Sequence, residues 1–386
     1  MPLTRQDSLP ILGIKILEKL ARDPDNCAEI VRATGLISKI IRLISYTTDS
    51  ENSNDEQQHD VIIQSLNFVM RIAITEENIG AVLRQELCKN SFLLTNLECI
   101  LEDKRSSPEL MELVTEILTK LAFDEDARKE IGGSMVTICK LMHAFIGKDG
   151  PTNNVCYDQS LRMAAGEALE NLTVESPANC LAILEEMGYE LIKDLKDMLC
   201  EYRYVAASIL QNFCAHSMDK LRHHQGARDH LSSALPMLME NMMSTGGKQL
   251  ETLIGLISRI SDVIPEAFVR ELQLETNGGS GLVQKLVSTL NSNRKPDPAY
   301  PRMRRVIVEM VMSIMKLCPR YATVFREAGM MEALNRVERT PSKVEKYRVF
   351  YGNVGVVLES GSSLATLASM AKGLVQSAAP ALGTVN

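Results

Sequence analysis

Seven hydrogen-bonding side chains recur along this chain at one place in a short motif: a basic residue or Asn, then a bulky apolar residue, then a small or polar one. They are Lys19, Arg71, Lys120, Asn171, Asn212, Arg259 and Lys316, at steps of 52, 49, 51, 41, 47 and 57 residues. Five of the seven are cationic. Lys and Arg present only donors and charge, whereas Asn presents a donor and an acceptor. A series of this kind can hold carbonyl oxygens and carboxylates. Its chemistry is binding.

Other candidate groups are weaker. His216, His223, His224 and His230 fall close together beside Lys220, Arg222 and Arg228, with only Cys214 near. Zinc sites usually bring in Cys or carboxylate at tight spacings, so a solvated loop competes with a metal or pH-responsive site. A basic run begins with Arg294, Lys295, Arg302, Arg304 and Arg305, and residues 294–348 hold 13 basic and 6 acidic residues. That run reads either as a contact for phosphates, anionic lipid or an acidic protein, or as a solvated helix face. Gly278-Gly279-Ser280-Gly281 lacks the Lys-Ser/Thr ending of a phosphate-binding loop. No His-Glu-x-x-His or Gly-x-Ser-x-Gly motif occurs. No catalytic residue, metal ligand or cofactor site is assigned, and the chain reads as a non-enzyme.

The elements that position the seven side chains are helices. Residues 158–174 place Leu161, Ala164, Ala165, Ala168, Leu169 and Leu172 at the spacing of a one-faced helix. A break follows at Glu175-Ser176-Pro177, then a short helix to Met187, a left-handed stop at Gly188 and a second helix over 191–199. The same order of short helix, glycine and second helix is read at Gly35, Gly132-Gly133, Gly281 and Gly329. The turns near Asn90 and Ser233 lack a glycine. Polar connections are read at 46–60, 148–157 and 291–300. A period near fifty residues predicts stacked helical units, none able to bury its apolar face alone, and such arrays typically present a long binding surface.

Composition agrees. With 386 residues, 45% of them apolar and 24% charged, no Trp and only 14 Pro, the chain suits an all-α class. The 20 Met residues can fill irregular gaps between helices. Nine scattered cysteines with no Cys-x-x-Cys pair predict buried free thiols and a reducing compartment, cytoplasmic or nuclear. The sequence shows no signal peptide and no membrane-spanning run. Net charge is −7, with residues 1–200 carrying the acidic excess and the rest a basic one. Nucleic acid is disfavoured by that negative total and by the few aromatic residues.

The run Ala164-Ala165-Gly166-Glu167-Ala168-Leu169-Glu170-Asn171-Leu172, with Asn179 and Met187-Gly188 after it, resembles an armadillo repeat, as does the segment from Asn26 to Ile37. The resemblance covers about residues 8–340, and its wording is similar to an uncharacterised plant family of armadillo-repeat proteins. It implies an armadillo/HEAT-type right-handed α-solenoid of six to seven three-helix repeats, here residues 1–342, followed by a capping segment and small-residue tail at 343–386. It also implies that the third helices line a concave groove, with the seven side chains placed to hold the backbone of an extended peptide. Nuclear-import receptors of this superfamily carry Trp four residues before that position. This chain has Lys15, Asn67, Glu116, Glu167, Ser208, Gly255 and Met312 there, so basic import signals are not expected.

The expected function is therefore a scaffold or adaptor that binds an extended, acidic protein segment in the groove. The alternative is a peripheral membrane protein using the basic C-terminal third and the tail. A basic residue near a helix C-terminus is favoured by the helix dipole alone, which is the competing account of the ladder. The first third helix, at about Leu9 to Arg22, is apolar around nearly its whole circumference. It is expected to be an open edge, so that either the chain is the C-terminal part of a longer protein or this edge self-associates or docks on a partner.

Overall fold

Why this sequence builds helices in threes is visible at their ends. Asp23, Ser107, Asp124 and Ser134 each turn a side-chain oxygen back onto a backbone N–H of the helix that follows, satisfying donors that a helix cannot pair internally. Pro24 and Pro108 occupy first-turn positions, where a missing N–H costs nothing. The computed structural model describes residues 9–33, 35–44, 55–103, 105–147, 155–201, 203–274, 280–351, 354–358 and 361–377. It divides into two compact units, residues 1–183 with 350–356, and residues 184–349 with 357–386.

The first unit holds α1 (Leu9–Leu20), α2 (Pro24–Arg32), α3 (Leu36–Arg42), α4 (Asp55–Ala73), α5 (Glu77–Cys88), α6 (Ser91–Glu102), α7 (Pro108–Leu121), α8 (Glu125–Gly133), α9 (Met135–Ile146) and α10 (Val155–Thr173). Three stacks run through it. The third helices α1, α4, α7 and α10 pack in series, as do the second helices α3, α6 and α9 and the first helices α2, α5 and α8. Fully buried residues such as Leu66, Phe68, Ile117, Phe145 and Leu169 fill the space between the stacks.

Helix α11 (Pro177–Met187) runs across the boundary. The second unit continues with α12 (Glu190–Met198), α13 (Arg203–His216), α14 (Met218–His223), α15 (Gln225–Ser244), α16 (Gly247–Val263), α17 (Pro265–Leu274), α18 (Ser280–Ser292), α19 (Met303–Leu317), α20 (Tyr321–Glu327) and α21 (Met330–Arg339). A 3-10 turn at Lys343–Lys346 leads to β1 (Tyr347–Tyr351) and β2 (Val354–Leu358), which form a two-stranded sheet, and then to α22 (Leu364–Ser377). Here α13, α16, α19 and α22 pack in series. Helix α22 buries Leu364, Ala368, Ala371 and Val375 and occupies a third-helix place behind α19. The fold is all-α, with that one sheet as an addition the helical periodicity did not predict.

Several expectations shift. Gly35, Gly188 and Gly329 are left-handed, with φ of 74°, 75° and 83°, as read from the sequence. Gly132 and Gly133 instead lie inside α8, and Gly281 lies inside α18. At Gly132 a Cβ would run into the side-chain amide of Asn179, so glycine is needed there for close approach and not for a turn. The break expected near Ser233 is absent, because α15 is continuous over that region and the chain turns at His224. The polar stretch 46–60 is partly helical, α4 starting at Asp55, and α10 likewise begins at Val155 inside the stretch 148–157. Residues 378–386 of the tail lie outside the described residues.

The apolar edge on α1 is present: Leu9, Leu12, Ile16 and Leu20 are 44–61% exposed. Among the described residues, no helix is long and apolar enough to cross a membrane.

Gly188 has open space around it, so a side chain there meets only the backbone penalty. Gly188→Val is expected to lower stability by about 1–2 kcal/mol through the left-handed φ. Chemical denaturation measures it, and an unchanged midpoint with an unchanged slope would contradict the assignment.

Candidate functional site

The seven ladder side chains all fall near the C-terminal ends of third helices, and the structure divides them by what they touch. Arg71 on α4 donates through Nε to the Ala21 carbonyl at 3.2 Å and through a terminal nitrogen to that of Arg22 at 3.5 Å. Asn171 on α10 is buried, and its amide donates to the Thr119 carbonyl at 3.2 Å. Both therefore join one third helix to the end of the preceding one. Asn212 on α13 is 2% exposed. Arg259 on α16 lies 3.6 Å from both Asp262 and Glu309. Lys19 and Lys316 are exposed, and Lys120 is half-buried with its ammonium 6.0 Å from the Phe123 ring. The expectation that all seven face a ligand is corrected: Asn171 and Asn212 are core residues, and Arg71 serves its neighbour's helix end.

Between these third helices the first unit opens a trough of about 760 Å³, with α7 as its floor and α4 and α10 beside it. Its charged lining is Glu112, Glu116 and Glu167 against the single cation Lys120. Met70, Met163 and Ala164 supply apolar wall. The Glu116 carboxyl is pushed up from the ordinary glutamate value by burial, and further by the like charges of Glu112 and Glu167, with Lys120 opposing. The sequence signal for the acidic lining was the spacing of Glu112, Glu116 and Lys120 on one face of α7, with Glu167 repeating the Glu116 position one unit later.

The basic run is not a surface. Arg302, Arg304 and Arg305 are 8%, 1% and 4% exposed, while Arg294 and Lys295 are exposed. Arg304 makes a two-pronged pair with Glu345, Nε and a terminal nitrogen each 2.7 Å from a carboxylate oxygen. It also reaches the carbonyls of Arg294 and Thr340. Arg305 donates to the carbonyls of Glu345 and Ser362. Five like charges in sequence thus resolve into two solvated side chains and three internal ones, of which Arg304 and Arg305 fasten the segment after α21.

The histidine cluster is similarly absorbed. His224 accepts through Nδ1 from the Ala227 N–H at 3.2 Å, capping α15, and stacks on Tyr189 with ring centroids 3.9 Å apart. His223 Nδ1 lies 2.6 Å from the Asp219 carbonyl. Among the described residues, no group of three His, Cys, Asp or Glu is arranged to hold a metal ion. Burial pushes the Cys88 and Cys214 thiols up to about 12, and Cys180 is also raised by burial. These thiols stay protonated and unreactive.

No protein-family profile and no curated protein matches the chain. The plant-family resemblance thus has no counterpart in these comparisons. Similar solved structures include an engineered protein, 15% identical over 74% of this chain and 98% of its own, with a TM-score of 0.46. Another is a designed armadillo repeat protein, 13% identical over 88% of this chain and 99% of its own, with a TM-score of 0.36. The fold itself, an armadillo-type stacking of three-helix repeats within each unit, rests on the helix order and packing described above.

Breaking one member of the buried Arg304–Glu345 pair leaves an unpaired internal charge. Glu345→Ala is expected to destabilise the protein by about 3–5 kcal/mol. Urea denaturation of the variant checks this, and a loss below about 1 kcal/mol would place the pair in solvent.

Proposed function

We propose that this protein is a non-catalytic scaffold that holds an extended polypeptide segment along its third helices, and that the trough of the first unit receives a basic side chain of that segment. The observation that carries this reading is the trough itself: three carboxylates and one ammonium line a concavity walled by methionines. A guanidinium or ammonium entering it would meet charge-assisted hydrogen bonds, roughly 1.5–3 kcal/mol each, and would relieve the repulsion that raises Glu116. An acidic segment, expected from the count of cations in the ladder, would face those carboxylates instead. The alternative of a membrane-bound protein loses its main support, since Arg302, Arg304 and Arg305 are buried.

Fluorescence anisotropy with labelled peptides of repeating Lys-Ser-Ala and Glu-Ser-Ala tests the reading. The lysine peptide is expected to bind preferentially. Glu116→Gln/Glu167→Gln should weaken it about tenfold or more, and Lys120→Ala should strengthen it. Preference for the glutamate peptide, or an unchanged double variant, sinks the proposal.

The same assay has a pH signature. Binding needs ionised Glu116, whose folded value is raised, so affinity is present at neutral pH and falls on acidification. The fall should begin above the pH at which an ordinary glutamate protonates. In Glu116→Gln that early part of the fall should disappear.

The exposed stripe of Leu9, Leu12, Ile16 and Leu20 on α1 supports a second contact, self-association through that face, since pairing would remove its apolar area from water. Sedimentation equilibrium should show concentration-dependent association that Ile16→Glu abolishes. A strictly monomeric wild-type chain at high concentration removes this part of the reading.

A further inference from the structure

The second unit carries a cavity of about 900 Å³ between α14–α15 and the α16–α17 junction. Its lining comes from α14, α15, the C-terminal end of α16 and the first turns of α17. Three arginines line it: Arg222, Arg228 and Arg270. None is within ion-pair distance of a carboxylate among the described residues. Arg222 is fixed in place because Nε and one terminal nitrogen donate to the Asp262 carbonyl at the end of α16. Arg228 donates to the Gln225 side-chain carbonyl at 2.8 Å, and the Gln225 amide in turn engages Asp229 at 2.7 Å. Asp229, one of the two acids that line the cavity, is thereby held by an amide and not by a guanidinium. Arg270 is exposed and forms no hydrogen bond or ion pair with the described residues.

Three guanidiniums and two carboxylates, Asp229 and Glu266, line the cavity, and an anion bound among the guanidiniums offsets their excess positive charge. The cavity also reaches Pro265, Glu266 and Ala267, the first turn of α17, where a helix carries partial positive charge. Guanidinium groups match tetrahedral oxyanions with paired N–H donors, which an ammonium cannot do. Val263, Ile264, Pro265 and Ala267 give the cavity an apolar wall, suited to the residues flanking a side chain and not to a flat bilayer.

We propose that this cavity binds a phosphoryl group carried on a polypeptide, with Arg222, Arg228 and Arg270 as its ligands. The proposal is independent of the groove, since no residue is shared between the two sites.

Labelling of the full chain with an arginine-selective dicarbonyl, read residue by residue by mass spectrometry, tests it. A nonapeptide with a central phosphoserine in an Ala-Gly background is expected to slow modification of Arg270 at least threefold. Inorganic phosphate should slow it less, and the serine version or matched sodium chloride not at all. Arg294, exposed outside the cavity, should label at a constant rate throughout. Arg228→Gln, which removes only a contact within one turn of α15, should abolish most of the Arg270 protection while leaving the circular dichroism spectrum unchanged. Equal slowing at Arg270 and Arg294, no slowing by the phosphopeptide, or protection by inorganic phosphate alone would each overturn the proposal. Protection seen only with vesicles of phosphatidylcholine and phosphatidylinositol bisphosphate would assign the site to lipid and overturn it equally.

Discussion

The carbonyl oxygens at the C-terminal end of each third helix are the constraint around which the repeats are organised. A helix leaves its last four carbonyls without internal partners, and in a stack these ends are enclosed by the next repeat, away from water. The chain supplies donors from long side chains on neighbouring helices. Arg84 on α5 donates to the carbonyls of Ala73 and Thr75. Arg128 on α8 donates to those of Ala122 and Val174, reaching two third-helix ends at once. Asn179 on α11 bonds the carbonyls of Leu172 and Arg128. Arg71 and Asn171 do the same from one third helix to the previous one. Apolar burial holds the layers together, but these donors fix their register.

That constraint explains why the ladder was legible as a pattern and only partly legible in meaning. A cation near a helix end has three uses that look alike in sequence: compensation of its own helix dipole, closure of a neighbour's end, and contact with a ligand. Arg71 and Lys120 occupy equivalent positions, yet one is bonded to Ala21 and the other lines an open trough. The decision depends on which carbonyl lies fifty residues away, and periodicity does not carry that. The same holds for Arg294 and Arg304, ten residues apart, one solvated and the other sealed against Glu345.

What was readable is what depends on a residue's own backbone. Gly188 and Gly329 end helices by a left-handed φ, a property of glycine itself, and the one-faced pattern of α10 follows from side-chain spacing. Gly132 stands beside Gly133 like another turn signal, but its need for a missing Cβ comes from Asn179, brought in by a different helix. The sheet of β1 and β2 lies in the stretch read only as the start of a capping segment, where five-residue runs are too short to set a strand apart from that reading.

The placement of charge then follows from the stacking. Arg84 and Arg128, which close helix ends, are removed from the surface, and what remains exposed differs from the composition. In the first unit Arg71 is engaged by its neighbour's helix end, and the trough beside Lys120 shows the carboxylates that alternate with it on α7 and α10. In the second unit α14, α15 and α17 keep Arg222, Arg228 and Arg270 near one cavity because the α16 end engages only part of one guanidinium. A count of basic residues along third helices thus gives the wrong sign for the first-unit trough. The sign is set by which cations the helix ends have already engaged.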